Sequence, residues 1–236
     1  QLYQLIEDPA IAAWAPVGTS AVGNIRMGVQ ELLERPRTRQ RPALAALPAV
    51  PVPAAPAPGE LMTDAFLMHT LTQVRGRDSI IVEEAPGSRP IIQAHLPIYA
   101  SETFYTMCSG GLGHSMPASV GVALAKPGKK VIGVIGDGSA MYAIQALWSA
   151  AHLKLPITYV IVKNRRYAAL QDFAPVFGYR AGEKVEGTDL PDIDFVALAK
   201  GQGCDGVRVS DAAQLAQVLQ EALSSPRTTL VEVEVA

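Results

Sequence analysis

A doubly wound α/β domain, with a mostly parallel sheet and helices on both faces, is the fold class this sequence predicts, and three observations carry the prediction. From Glu60 onward helical and strand-like segments alternate, which is the order that builds a parallel sheet covered on two sides. The segments 131–135 (VIGVI) and 160–163 (VIVK) are nearly continuous apolar runs, as strands without a solvent face require. About six strands of this kind emerge along the chain, enough for one domain of the class.

The elements follow in order. The segment ELMTDAFLMHTLTQVR is helical with a mixed apolar face, and residues 79–83 form a short buried strand. A β-prone stretch at 103–106 comes next. The run Ser109-Gly110-Gly111-Leu112-Gly113 then leads into a helix through Pro117 and Ala118, since proline is tolerated in a first turn whose N–H has no partner anyway. Residues 130–135 are a strand, and the helix after it repeats Ile144, Leu147, Trp148 and Ala151 on one face until Pro156 stops it and starts the next strand. Later, 195–200 is helical, 207–209 is extended, Asp211 caps a helix through Leu223, and 229–235 closes the sheet.

The opening, LYQLIEDPAIAAWAPVGTSAVGNIRMGVQELLERP, reads as one strand, a loop and one helix with no sheet to join, and so small a piece cannot bury both faces. Residues 1–36 are therefore expected to be the C-terminal tail of a preceding α/β domain. Residues 37–59 read as a Pro/Ala-rich linker, whose prolines withhold backbone donors and favour extended conformations, and 60–236 as the domain proper.

Composition narrows the function classes. The chain has 236 residues, 49% of them hydrophobic, which is enough for one good-sized core and a short appendage. A net charge of -2 without a basic stripe gives nucleic-acid binding no electrostatic support. No apolar run reaches the ~18 residues of a membrane span, so a cytoplasmic protein with no membrane association is expected. Cys108 and Cys204 make neither a disulfide framework nor a four-ligand metal site.

The most informative residues are Gly136-Asp137-Gly138-Ser139, directly after an apolar run and answered some two dozen residues later by Asn164. A strand ending in a glycine-flanked carboxylate, a helix, and a second strand ending in a carboxamide bring two hard oxygens to one sheet edge beside backbone amides. Such a donor set suits magnesium and a diphosphate. Ser139 either offers its hydroxyl to a phosphate oxygen or caps the helix that follows, and sequence leaves both open.

These residues carry a family resemblance. The stretch GDGSAMYAIQALWSAAHLKLPITYVIVKNRRY resembles the diphosphate-binding signature of thiamine diphosphate enzymes, GDG followed after about two dozen residues by Asn-Asn or a near variant. SGGLGHSMPASVGVALA before it, and YAALQDFAPVF and LPDIDFVALAKGQG after it, resemble the benzoylformate decarboxylase branch. The resemblance spans nearly the whole chain but only the second half of such an enzyme. It implies the thiamine diphosphate-binding fold, thiamine diphosphate and Mg2+ as cofactors, and non-oxidative decarboxylation of an aromatic or branched 2-oxo acid to an aldehyde and CO2. It also implies a homodimer or homotetramer with sites shared between subunits.

Carried over residue by residue, the resemblance implies metal ligation by Asp137, Asn164 and the main-chain carbonyl of Arg166. Gly138 and Ser139 then stand at the diphosphate, with Tyr142 and Tyr167 beside it. Gly110 allows close backbone approach to a flat ring, and Leu112 occupies the place of the family's apolar wedge under the thiazolium; an ordinary glycine turn and a core leucine carry the same letters. Ala169, Leu170 and Phe173 match the segment lining the substrate cavity, although packing of an amphipathic helix predicts nearly the same residues. His114 is read either as a proton-transfer group or as an ordinary packing histidine. The family's activating glutamate lies in an amino-terminal pyrimidine-binding domain of a facing subunit. That domain, on another chain or an upstream segment, is the expected partner, and without it the chain is expected to be catalytically incomplete.

Several positions depart from the pattern. Lys163 replaces the first asparagine of the usual pair, and Arg165 and Arg166 stand where the decarboxylases carry a small residue and a threonine. Ala85-Pro86-Gly87 replace hydroxyl residues that touch the diphosphate, and Thr106 replaces a bulky aromatic at the cavity. Two other readings stand beside decarboxylation: a carboligase or lyase of the acetolactate synthase kind, and a non-catalytic module that retains the fold. A nicotinamide-dinucleotide domain is disfavoured, because no G-x-G-x-x-G follows the first strand.

Overall fold

The computed structural model describes residues 2–36, 49–108, 110–180 and 182–236, so most of the expected linker lies outside the described residues. The chain divides into two compact units, Gln1–Ala49 and Val50–Ala236.

In the first unit, β1 (Tyr3–Ile6) and β2 (Thr19–Val22) pair in parallel, with a one-turn helix α1 (Pro9–Ala12) between them and α2 (Ile25–Glu34) after them. The expectation of a single strand and a single helix is corrected here. TSAV is only four residues between Gly18 and Gly23, too short to display a period. Its neighbours are set by caps: Asp8 accepts the Ala10 N–H at 2.8 Å to start α1, and Asn24 accepts the Met27 N–H at 3.0 Å to start α2.

The second unit holds the expected sheet, and it is wholly parallel. Its strands are β3 (Ile80–Glu84), β4 (Phe104–Thr106), β5 (Val131–Gly136), β6 (Ile157–Lys163), β7 (Asp205–Val209) and β8 (Thr229–Glu234), in the order β4-β3-β5-β6-β8-β7. The helices are α3 (Asp64–Val74) before the first strand and, between the strands, α4 (Arg89–His95), α5 (Ser115–Ala125), α6 (Asp137–Ala140), α7 (Ala146–His152), α8 (Ala168–Phe173), α9 (Phe195–Gly201) and α10 (Ala212–Ser224). Alternate residues of β5 serve two cores. Ile132 and Val134 pack with Leu67 and Leu71 of α3 and Leu215 and Leu219 of α10, whereas Val131 and Ile135 pack with Met116 of α5, Leu147 of α7 and Phe195 of α9.

One expected core residue is misplaced by the sequence reading. Trp148 does not share a buried face with Leu147 but stacks on His152 at the surface, their ring centroids 5.0 Å apart. The helix begins only at Ala146, so Ile144 lies before it, and Ala146, Leu147 and Ala150 make the core contact.

Topology fixes where a ligand would sit. From β3 the chain moves outward to β4, returns across β3 to β5, and then proceeds the opposite way to β6. That reversal opens a crevice at the carboxyl ends of β3 and β5, the place where open parallel sheets take their ligands.

Candidate functional site

The crevice is a cavity of about 470 Å³. The segment after β3 contributes Ala85, Pro86, Gly87 and Ser88, and the loop before α5 contributes Gly110 and Leu112. The end of β5 contributes Gly136, Asp137, Gly138, Ser139 and, further on, Tyr142. The end of β6 and the turn into α8 contribute Val162, Asn164, Arg166, Tyr167, Ala168, Ala169 and Leu170.

Asp137 is the chemical centre of this cavity. Gly136 lies opposite Val162 in the β5–β6 register, so residues just past the two strand ends share one edge of the sheet. The Asp137 side chain is buried, the residue being 3% exposed, and its oxygens accept the Gly138 N–H at 2.8 Å and the Arg165 N–H at 2.6 Å. Burial raises its pKa above the ordinary carboxylate value, while the N–H bonds and the nearby Lys163 charge act in the other direction. A desolvated carboxylate that receives only N–H dipoles is a place where a cation lowers the energy.

The turn after β6 completes the donor set. Arg165 sits at φ 60°, in the left-handed region, which accompanies the turn of its N–H onto Asp137. Its guanidinium pairs with Glu234 at 2.7 Å instead of entering the cavity wall. Asn164 Oδ1 accepts the Arg166 N–H at 3.2 Å and retains a second lone pair. The Leu190 N–H uses the Arg165 carbonyl at 2.7 Å, whereas no backbone hydrogen bond among the described residues reaches the Arg166 carbonyl. A carboxylate, a carboxamide oxygen and a free carbonyl are hard donors of the kind magnesium takes. Among the described residues no cluster of three or more His, Cys, Asp or Glu is found.

Around this centre the chain packs closely. A Cβ on Gly138 would lie 2.5 Å from a Tyr167 ring carbon, so the ring occupies the volume that any larger residue needs. Burial raises the Tyr167 phenol pKa, with the Tyr142 and Asp137 charges adding to it. Ser139 lies within the one-turn helix α6 and Gly136 holds the N-cap position, which removes the capping reading and leaves the hydroxyl in the cavity wall.

Other sequence candidates fall outside the wall. Phe173, expected with Ala169 and Leu170, is 55% exposed and meets Phe177 edge-on at 5.6 Å. Thr106 donates its hydroxyl to Glu83 at 2.7 Å, away from the cavity. His114 Nδ1 lies 3.3 Å from the Ser115 hydroxyl and does not line the crevice. Conversely, Ser88 is buried in the wall and sequence reasoning passed over it, although a hydroxyl one place beyond Ala85-Pro86-Gly87 was visible. Ala168 and Gly187 also line the cavity and carry no local signal.

Comparison with known proteins agrees with this geometry. A family profile described as thiamine pyrophosphate enzyme, C-terminal TPP binding domain, matches residues 87–233. The benzoylformate decarboxylase of Pseudomonas aeruginosa is 36% identical over 233 residues, which is 99% of this chain and 43% of that enzyme. The acetolactate synthase of Bacillus subtilis is 31% identical over 137 residues, 57% of this chain and 23% of its own length. Among solved structures, the thiamine diphosphate-dependent 4-hydroxybenzoylformate decarboxylase of Rhodococcus jostii RHA1 matches with a TM-score of 0.88 at 34% identity, covering 100% of this chain and 44% of that one. The chain thus spans less than half the length of these relatives.

Proposed function

The chain belongs to the thiamine pyrophosphate enzymes, and from that premise we propose that it is the diphosphate- and Mg2+-holding portion of a decarboxylase acting on an aromatic or branched 2-oxo acid. The observation that carries the proposal is Asp137, a buried carboxylate bonded only to backbone N–H groups, beside Asn164 at the switch point of the sheet.

In this reading Asp137, Asn164 and the Arg166 carbonyl hold Mg2+, and the Ser139 hydroxyl donates to a phosphate oxygen. Tyr142 and Tyr167 stand beside the diphosphate, while Gly110 and Leu112 lie against the ring end of the cofactor. When bound, thiamine diphosphate supplies the ylid and the electron sink for loss of CO2. Ala169 and Leu170 give the substrate an apolar wall, which excludes water from its carboxylate.

The rest of the assembly belongs to the same proposal. Residues 1–36 are the end of a preceding domain, 37–59 a linker and 60–236 the diphosphate-binding domain. A pyrimidine-binding domain, upstream or on another chain, supplies the activating glutamate in a homodimer or homotetramer. Leu170, Phe173, Val176 and Phe177 are exposed apolar residues beginning at the cavity wall, as a surface awaiting such a domain would be. Two free thiols suit a cytoplasmic setting, and among the described residues no helix is long and apolar enough to cross a membrane.

The test is CO2 release from benzoylformate, pyruvate and a branched 2-oxo acid by the assembly that includes the pyrimidine-binding domain, with thiamine diphosphate and Mg2+ added separately and together. Turnover that needs both, fastest on the aromatic acid, is expected. The match to an acetolactate synthase favours carboligation as the second reading, and product that forms only when an acceptor carbonyl is supplied would select it. A non-catalytic module would bind neither cofactor measurably.

A further inference from the structure

Two consecutive glutamates end β3, and each is 1% exposed. Glu83 is satisfied close at hand: it accepts the Ala85 N–H at 2.7 Å and the Thr106 hydroxyl at 2.7 Å, and pairs with Arg89 at 3.1 Å. Glu84 reaches much further along the chain. One oxygen accepts the Gly113 N–H at 2.6 Å and the other accepts the Ser115 N–H. The Ser115 hydroxyl donates in turn to the Glu83 carbonyl at 2.9 Å, so the end of β3 is stitched to the start of α5 by three bonds.

The position of this carboxylate has two consequences. It satisfies the first N–H of α5, at Ser115, which the helix cannot pair internally, and its charge lies at the positive end of the helix dipole. It also clamps the loop before the helix. Gly113 has φ 92°, and a Cβ on it would come within 3.0 Å of the Tyr142 Cβ, so the loop is held by Glu84 through its N–H and crowded by Tyr142. Gly110 and Leu112, which line the crevice, belong to that loop.

We propose that Glu84 is a positioning residue that sets where Gly110 and Leu112 stand in the cofactor crevice. Its functional meaning rests on the reading of the crevice as a thiamine diphosphate site; the clamp itself does not. An apolar residue of similar size would leave two N–H donors without an acceptor, and a glutamine would turn one acceptor into a donor facing a donor.

The experiment is amide hydrogen exchange on the purified protein, comparing wild type, Glu84→Gln and Glu83→Gln, followed by titration with thiamine diphosphate at saturating Mg2+. Glu84→Gln is expected to speed exchange in the peptide spanning residues 110–118 by about ten-fold or more, leave β5 and β6 unchanged, and weaken thiamine diphosphate binding by about ten-fold. Glu83→Gln, equally buried but not bonded to the loop through its side chain, is expected to leave exchange at 110–118 within about two-fold. Wild-type exchange rates at 110–118 in Glu84→Gln, or equal acceleration in Glu83→Gln, would overturn the proposal. If Glu84→Gln does not fold, the wild-type Gly113 and Ser115 amide protons decide: exchange at least about 100-fold slower than in an open loop supports the clamp, and free exchange overturns it. Absence of thiamine diphosphate binding by the wild type would overturn the reading of the crevice and the positioning role with it, while the clamp is scored by exchange alone.

Discussion

Asp137 and Glu232 are both buried carboxylates of one sheet, and the protein finishes them in opposite ways. Glu232, in β8, receives the Lys163 ammonium at 2.7 Å, the Arg208 guanidinium at 2.7 Å and the Phe195 N–H at 2.9 Å. Asp137, past the end of β5, receives two backbone N–H groups and, among the described residues, no ion pair. The first site is closed by the protein's own cations, whereas the second, among the described residues, has backbone N–H groups alone. Lys163 joins the two regions. It immediately precedes Asn164, yet its ammonium is spent on Glu232 and the Ile193 carbonyl at 2.8 Å. A departure from the family's asparagine pair therefore serves the core, and Asn164 remains for the crevice.

The largest expected effect breaks the closed site. Lys163→Ala leaves Glu232 with Arg208, a partly exposed cation, and is expected to lower stability by about 3 kcal/mol in denaturant titration. A loss under about 1 kcal/mol would show that Arg208 alone neutralises Glu232, and the contrast with Asp137 would lose its force.

The open site is expected to respond with the opposite sign. Because folding raises the Asp137 pKa above 3.8, the folded state favours the protonated form. The associated stability is fully present below that value and is lost as pH rises through the raised pKa. In Mg2+-free buffer the wild-type melting temperature should therefore fall as pH rises from about 4, and Mg2+ should reduce that fall. A melting temperature that follows the same course with pH whether Mg2+ is present or absent would make Asp137 a structural residue like Glu232.

Smaller effects sharpen the outline of the crevice. Gly138→Ala pushes a methyl into the Tyr167 ring, and overpacking of about 1–3 kcal/mol is expected to appear as roughly ten-fold weaker thiamine diphosphate binding by calorimetry. His114→Ala should change turnover by no more than a few-fold, since a proton-transfer residue is worth about 10²–10⁴-fold.

The Asp137 side of this contrast was legible in the sequence, and the parts that were not share a cause. The strand pattern, the glycine-flanked Asp137 and the later Asn164 are local signals, and the β5–β6 pairing brings the two together as their spacing implies. What escaped the sequence depends on partners far along the chain. Lys163 and Glu232 are 69 residues apart and Glu84 reaches 29 and 31 residues to its acceptor bonds, distances at which no period or motif speaks. Trp148 was misassigned because Ile144, which helped define the apolar face, lies before the helix, and the buried face is that of Ala146, Leu147 and Ala150. Phe173 was grouped with Ala169 and Leu170 by resemblance, but the six-residue helix α8 gives way at once to a 3-10 turn that carries Phe177 against it.

The most direct test of the central claim is isothermal titration of thiamine diphosphate into the protein, with and without Mg2+, for wild type and Asp137→Ala. Binding that requires Mg2+ in wild type and weakens by about 100-fold or more in the variant is the predicted result. Equal affinity without Mg2+, or undiminished affinity in Asp137→Ala, would contradict the assignment of the crevice as a metal-diphosphate site.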